Sequence, residues 1–365
     1  MNVPERNDSD VQIVDQKTTI LAPATDEFPR NMGGDIIRLK DGRLLLAYSQ
    51  WFGGTHDRDA SRVVGNISQD GGETWGHFFT IVEPDETGDA VRMPSFVRLG
   101  DGRLAVFVRC HQTMIKKWVA MMVCTDESGD VLDASVWTAP KYVTPEGSGG
   151  HIIIAQRVVR TEAGRIIVPV AAPWPWDRED DKTDDIRTCC MLSDDDGETW
   201  RVSQSVLDGP GRGLMEPCVL ALDGGRLMML LRTQMHQQYI SYSEDGGDVW
   251  TPAVEVADLV SPESPAALAR VPNSDLTMVV WNHNRNEDTM PVNRSPLTVG
   301  FSKDEGKTWF GFHDLEDEPE KTWSYPSIRF VDGKAWVIYY DRIMLPSGDT
   351  RISLKMNRFG ILCDF

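Results

Sequence analysis

The sequence predicts an all-β chain folded as a six-bladed β-propeller with four antiparallel strands per blade. Three observations carry this expectation. Six short polar turns recur along the chain, most of them about 60 residues apart. Copies of a second, longer motif fall in phase with them. No stretch holds the long 3.6-period apolar pattern that an amphipathic helix needs. With 31 Gly and 21 Pro in 365 residues, the composition also suits a turn-rich protein.

The six turns are Asp41-Gly42-Arg43, Asp101-Gly102-Arg103, Ala163-Gly164-Arg165, Asp223-Gly224-Gly225, Asn273-Ser274-Asp275 and Asp332-Gly333-Lys334. Each separates an apolar run from a second one. Ile36-Ile37, Phe96-Val97, Val158-Val159, Val219-Leu220, Ala266 to Leu268 and Ile328 to Phe330 are the leading runs. Polar, mostly Gly-containing turns between apolar runs are the sequence mark of hairpins. Only the step from Gly225 to Ser274, at 49 residues, departs clearly from the common spacing. Units of this size hold four strands each, and lone hairpins are not stable in water, so the six must stack.

The second motif is S-x-D-x-G-x-x-W, found at Ser68–Trp75, Ser193–Trp200, Ser243–Trp250 and Ser302–Trp309. A degenerate relative begins at Thr125, with Trp137 further on. The pattern describes a tight turn: Asp caps backbone amides, Gly takes positive φ, and Trp packs on the sheet. These aspartates are therefore read as scaffold.

Antiparallel alternation sorts the loops. Both kinds of turn fall at one end of each blade, and the opposite end gathers the start of strand one, the end of strand two and the start of strand three. The chain ends soon after the third strand of the last unit, so residues near Val11 to Val14 are expected to close that blade as its outer strand. The whole chain, 1–365, reads as one propeller domain.

A formal net charge of −19 argues against nucleic acid or an anionic membrane as partner, since both would be repelled. The six cysteines show no metal-ligand spacing, and no cofactor or metal motif is present. No apolar leader is visible at the N-terminus, which sets a cytoplasmic expectation.

The end opposite the turns is rich in reactive groups. Folding Glu216 to Arg232 about Asp223–Gly225 brings a carboxylate beside a guanidinium, neither of which the buried strands require. The same end collects Arg30, the loop His56 to Asp59, Arg92, Arg109, His111, His151, Arg157, Glu263, Asn282, His283, Arg294, Tyr325 and Asp341. The histidines fit no ligand spacing. Trp174 and Trp176 read as packing for a loop, or as a stacking platform for a sugar. The acidic run 177–185 reads most simply as a solvated loop, with calcium binding as the lesser alternative.

The S-x-D-x-G-x-x-W copies are similar to the Asp boxes of the sialidase (bacterial neuraminidase repeat) superfamily, and the resemblance spans nearly the whole chain. It implies an exo-acting glycoside hydrolase that releases a terminal sialic acid or related 2-ulosonic acid, with a glycan as partner and no cofactor. Within it, Glu216-Pro217 followed by Arg232 resembles the family's catalytic Glu and second arginine. Asn282 with Arg294-Ser295-Pro296-Leu297 resembles the third-arginine segment, and Ser324-Tyr325-Pro326-Ser327 the tyrosine segment. Arg30 takes the place of the first arginine, although Asn31-Met32-Gly33 stands where R-I-P is usual. Asp57, favoured over Asp59, is similar in place to the acid/base aspartate. The expected set is thus Tyr325, Glu216 and Asp57 as catalytic residues, with Arg30, Arg232 and Arg294 on the substrate carboxylate.

The chemistry is coherent without the family. A 2-ulosonic acid carries a carboxylate on its anomeric carbon, which would repel an attacking carboxylate; a phenol activated by a neighbouring base avoids this. Arginine supplies the planar, bidentate recognition that a carboxylate calls for. Two rival readings remain open at this stage: the same fold acting on another acidic or neutral sugar, and a carbohydrate-binding propeller without catalysis.

Overall fold

A computed structural model describes residues 11–57, 59–84, 88–112, 117–145, 153–176, 185–284 and 293–363. Among these residues, apart from the three-residue 3-10 turns Ala134–Val136 and Asp223–Gly225, the regular structure is β. Strands form where apolar residues run together between turns, as in Leu44–Trp51 and Leu227–Arg232, both buried at every position.

The strands group into six four-stranded antiparallel meanders. Three are separate sheets, spanning 159–202, 215–260 and 267–316. The other three, at 30–82, 88–142 and 322–363, belong to one twelve-stranded sheet. Among the described residues they are joined there by two single-residue parallel bridges, Arg30 to Ile352 and Ser61 to Ala90. The last meander takes its fourth strand from the other end of the chain. Val11–Ala22 runs antiparallel to Thr350–Cys363, from Val11 opposite Cys363 to Ala22 opposite Leu354, with register shifts after Val14 and after Ile20. The first strands of successive meanders also touch in cyclic order, and Thr322–Val331 returns to Arg30–Arg38.

The Asp boxes form as their chemistry requires. In the first, Ser68 Oγ donates to Asp70 Oδ1 at 2.8 Å and accepts from the Gly72 amide at 2.7 Å, while Asp70 takes the Thr74 amide and hydroxyl. Gly72 has φ +87°, and a Cβ there would lie 2.1 Å from the Trp336 ring of the last meander. The turn is therefore also an inter-sheet contact, and glycine is the only residue that fits. Strand register places each box at the end opposite the candidate site: Ser68 pairs with Leu44, whereas Arg30 pairs with Trp51 and Trp51 with Ser61.

Two arginines, Arg329 half-buried and Arg157 buried, tie the inner strands together. Arg329 donates to both oxygens of Asp35, at 2.7 and 2.8 Å, and Asp35 also accepts the amides of Ile36 and Phe96. Arg157 donates to the carbonyls of Ala155, Ala266 and Pro326, joining three meanders. Arg157 thus belongs to the scaffold and not to the reactive end where its sequence position put it. Its neighbour His151 and the run 177–184 lie outside the described residues.

Candidate active site

The site begins with a repeated irregularity. The first strand of four meanders carries a bulge near its start, with register shifts between Met32 and Asp35, Arg92 and Ser95, Met215 and Cys218, and Ser324 and Ser327. The bulged residues hold left-handed backbone: Gly33 (φ 62°), Met93 (59°), Glu216 (43°) and Tyr325 (54°). Gln156 (57°) stands at the corresponding place in the third meander. Such φ values cost a non-glycine residue of the order of 1–3 kcal/mol, and they persist where the surroundings fix them. Here the bulge turns the side chain out of the strand's alternation. Register pairs Met215 with Arg232, yet it is Glu216 that meets the guanidinium.

Tyr325 Oη donates to Glu216 Oε1 at 2.7 Å, and Arg232 donates to Glu216 Oε2 at 2.5 Å. A second carboxylate, Glu263, lies 3.2 Å from Arg232 and is also bonded by Arg212. Arg294 donates to Tyr340 Oη at 3.1 Å and to the Glu263 carbonyl at 2.9 Å, with its guanidinium carbon 5.7 Å from the Tyr325 ring centroid. Glu216 and Arg232 are only 8 % and 9 % exposed. Burial pushes the Glu216 carboxyl up, but Arg232, the Tyr325 hydroxyl and Arg294 pull it further down, so it rests ionised. Burial raises the Tyr325 phenol, and the Glu216 charge raises it again, so it rests protonated. The pair is a phenol poised against its base.

Asp57 stands at the mouth. Its carboxylate is 2.7 Å from Arg30, and its side chain is 85 % exposed. The guanidiniums beside it, Arg30 first, then Arg92 and Arg109, hold its carboxyl below the usual aspartate value. Arg30 also donates to the Thr55 carbonyl at 2.8 Å and stacks on Trp51, 4.3 Å from the ring centroid. Asp59 instead accepts the His56 amide, a loop-shaping role that sets it apart from Asp57.

All six residues expected from the sequence lie at this end, in two sets: Tyr325, Glu216, Arg232 and Arg294 in direct or near contact, and Arg30 with Asp57 at the mouth. Sequence reasoning gave no role to Glu263, or to the aromatic supports Trp51 and Trp118. His111 is held by Asp89 at 2.7 Å, and His283 packs between Trp281 and Phe312. Trp174 and Trp176 lie against each other, centroids 4.7 Å apart. Among the described residues, no group of His, Cys, Asp and Glu is arranged to hold a metal ion.

Fold and site together define an all-β repeat protein with an arginine-lined acidic centre. The chain belongs to the BNR repeat-like domain family, which matches residues 42–335. A stretch of 126 residues is 31 % identical to a sialidase of Micromonospora viridifaciens, covering 33 % of this chain and 18 % of that protein. Among solved structures, the sialidase of Trypanosoma rangeli in complex with the inhibitor DANA superposes with a TM-score of 0.72 at 14 % identity, over 95 % of this chain and 60 % of the other. The NanB sialidase of Streptococcus pneumoniae gives 0.69 at 12 % identity, over 96 % and 71 %. A protein of unknown function from Dyadobacter fermentans gives 0.70 at 18 % identity, over 96 % and 100 %. The chain spans about a fifth of the curated sialidase and three-fifths of the trypanosomal one. At these identities the structural likeness establishes the sialidase-like fold.

Proposed function

We propose that the protein is a six-bladed propeller and an exo-acting glycoside hydrolase of sialidase type, releasing a terminal 2-ulosonic acid with retained configuration. The observation that carries this reading is the Tyr325–Glu216 hydrogen bond of 2.7 Å, with Arg232 on the other Glu216 oxygen.

In the first step Tyr325 Oη attacks the anomeric carbon and passes its proton to Glu216, while the bond to the leaving oxygen breaks and Asp57 protonates that oxygen. In the second, water attacks the same carbon and gives its proton to Asp57, and the departing Tyr325 recovers its own from Glu216. Arg30, Arg232 and Arg294 clamp the substrate carboxylate; charge-assisted bonds of this kind contribute roughly 1.5–3 kcal/mol each. The resting Arg30–Asp57 pair fits the sequence of events. It is solvent-screened and so worth little; a substrate carboxylate that displaces Asp57 from Arg30 lets the aspartate take up the proton it must donate. No cofactor enters.

The same ion pair favours one rival. An aspartate held ionised is no acid, and a propeller in which it stays so would bind an acidic sugar without cleaving it. A crystal structure with DANA tests the leading reading: the carboxylate should lie among Arg30, Arg232 and Arg294, with the ring beside Tyr325. A ligand carboxylate away from these arginines would contradict it.

A further inference from the structure

Arg109 is the counterpart of Arg232 two repeats earlier. Across the first hairpin of each meander, Arg92 pairs with Arg109 as Met215 pairs with Arg232. Arg232 has Glu216 and Glu263 as counter-ions, but Arg109 has none. Among the described residues it makes no hydrogen bond and no ion pair, and its Nε is buried without an acceptor. Arginines at the other end of the axis behave differently, since Arg160, Arg270 and Arg329 each face a carboxylate, Asp196, Asp223 and Asp35.

Arg109 is held in place by stacking. Trp51 lies between Arg30 and Arg92, whose guanidinium carbons are 4.3 and 4.5 Å from its ring centroid. Trp118 lies between Arg92 and Arg109, at 4.9 and 3.8 Å. The result is a ladder of three guanidiniums and two indoles along one wall of the site. Arg92 is committed within it: it donates to the Asp57 and Asp59 carbonyls, both at 2.5 Å, and to Ser61 Oγ at 2.7 Å, fixing the loop that carries Asp57. Arg109 has donors to spare, and the ionisable groups around it include Asp57, Glu216, Arg30, Arg92 and the Tyr325 phenol of the reaction centre. Crowding and burial bring the pKa of Arg92 to about 9 and of Arg109 to about 10, so both stay cationic at neutral pH but at an electrostatic cost. Counting Arg212, six guanidiniums among the described residues face four carboxylates, Asp57, Asp89, Glu216 and Glu263. One substrate carboxylate would still leave a guanidinium unmatched among them, in a chain of net charge −19.

We infer that Arg109 forms a second anion subsite, and that the preferred ligand is a sugar acid bearing a further anionic substituent, a sulfate, phosphate or carboxylate, on the same sugar as the anomeric carboxylate. The inference rests on the glycosidase reading and narrows it. Placement on the sugar itself follows from strand register, because Arg109 occupies in its meander the level that Arg232, bonded to Glu216, occupies in its own.

The test is calorimetric titration of the wild-type protein with DANA and with DANA sulfated on a ring hydroxyl or on the glycerol tail. A parallel arm measures kcat/KM on a sialoside whose leaving group carries the sulfate. Arg109→Gln and Arg109→Lys go through the same series. One of the sulfated sugars should bind the wild type at least roughly tenfold tighter than DANA, as one charge-assisted contact implies. That preference should vanish in Arg109→Gln and survive in part in Arg109→Lys. Equal affinity for all three ligands in the wild type overturns the inference while leaving the hydrolase reading intact, and this arm needs no variant to fold. A preference that persists in Arg109→Gln, or one confined to the sulfated leaving group, overturns it too. Failure of DANA and its derivatives to bind at all removes both readings.

Discussion

Glu216→Gln changes one atom type and removes one charge at the centre of the proposed chemistry. Gln keeps the shape and still offers Arg232 an oxygen, while Glu263, 3.2 Å away, remains as a counter-ion. The folding cost is then the difference between a charge-assisted and a neutral hydrogen bond, about 1–2 kcal/mol. At about 2.1 cal/mol/K per residue, a chain of 365 residues loses about 1.3 °C of Tm per kcal/mol, so the shift should be about 1–3 °C. The effect on turnover should be far larger. Tyr325 rests as a phenol with its pKa raised by burial, and without Glu216 nothing in contact can take its proton. General-base assistance is worth about 10²–10⁴ in rate. Fluorogenic sialoside hydrolysis and a thermal melt on the same preparation measure both quantities. A kcat within about threefold of wild type would refute the base assignment. A drop in Tm beyond about 10 °C would show instead that the charge is needed to hold the fold.

Tyr325→Phe should lose most turnover and keep DANA affinity within a few-fold, read by kinetics and calorimetry; full activity would remove the nucleophile. Deleting Val11–Ala22 strips the outer strand from Thr350–Cys363 and exposes the surfaces that Val11 and Leu21 cover, about 3–6 kcal/mol, so Tm should fall by about 4–8 °C. In the second full Asp box, hydrogen bonds from the Thr199 hydroxyl, the Thr199 amide and Ser193 bring Asp195 to a pKa of about 2, below its ordinary value of 3.8. The folded state therefore binds fewer protons than the unfolded one in that window. The stability from this carboxylate should be complete above about pH 4 and lost as pH falls towards 2, and melts of wild type and Asp195→Asn should converge there.

Much of this was legible in the chain because turns and repeats depend on local chemistry. The Gly turns, the four Asp boxes and the meeting of Glu216 with Arg232 follow from short-range rules that three-dimensional context did not override. The bulges were not legible. Glu216 and Tyr325 both precede proline, which disfavours helical backbone in the preceding residue and suggests extended chain, and nothing in either side chain signals positive φ. Arg157 misled because its position in the repeat does point to the reactive end, while its guanidinium is drawn inward by three carbonyls that only the folded structure brings together. The Arg–Trp ladder was hidden for a similar reason. Trp51 and Trp118 sit in different meanders, and their shared partner Arg92 becomes visible only when the sheets pack. One signal was available: Arg109 stands after its Gly turn much as Arg232 stands after its own.

The central claim, that Tyr325 attacks the anomeric carbon, is tested most directly by trapping. Incubation with a 2,3-difluorosialic acid, followed by digestion and mass spectrometry, should add one fluorinated sugar to the peptide containing Tyr325, and none in Tyr325→Phe. A label on any other residue, or none from a sugar that demonstrably binds, would contradict the account.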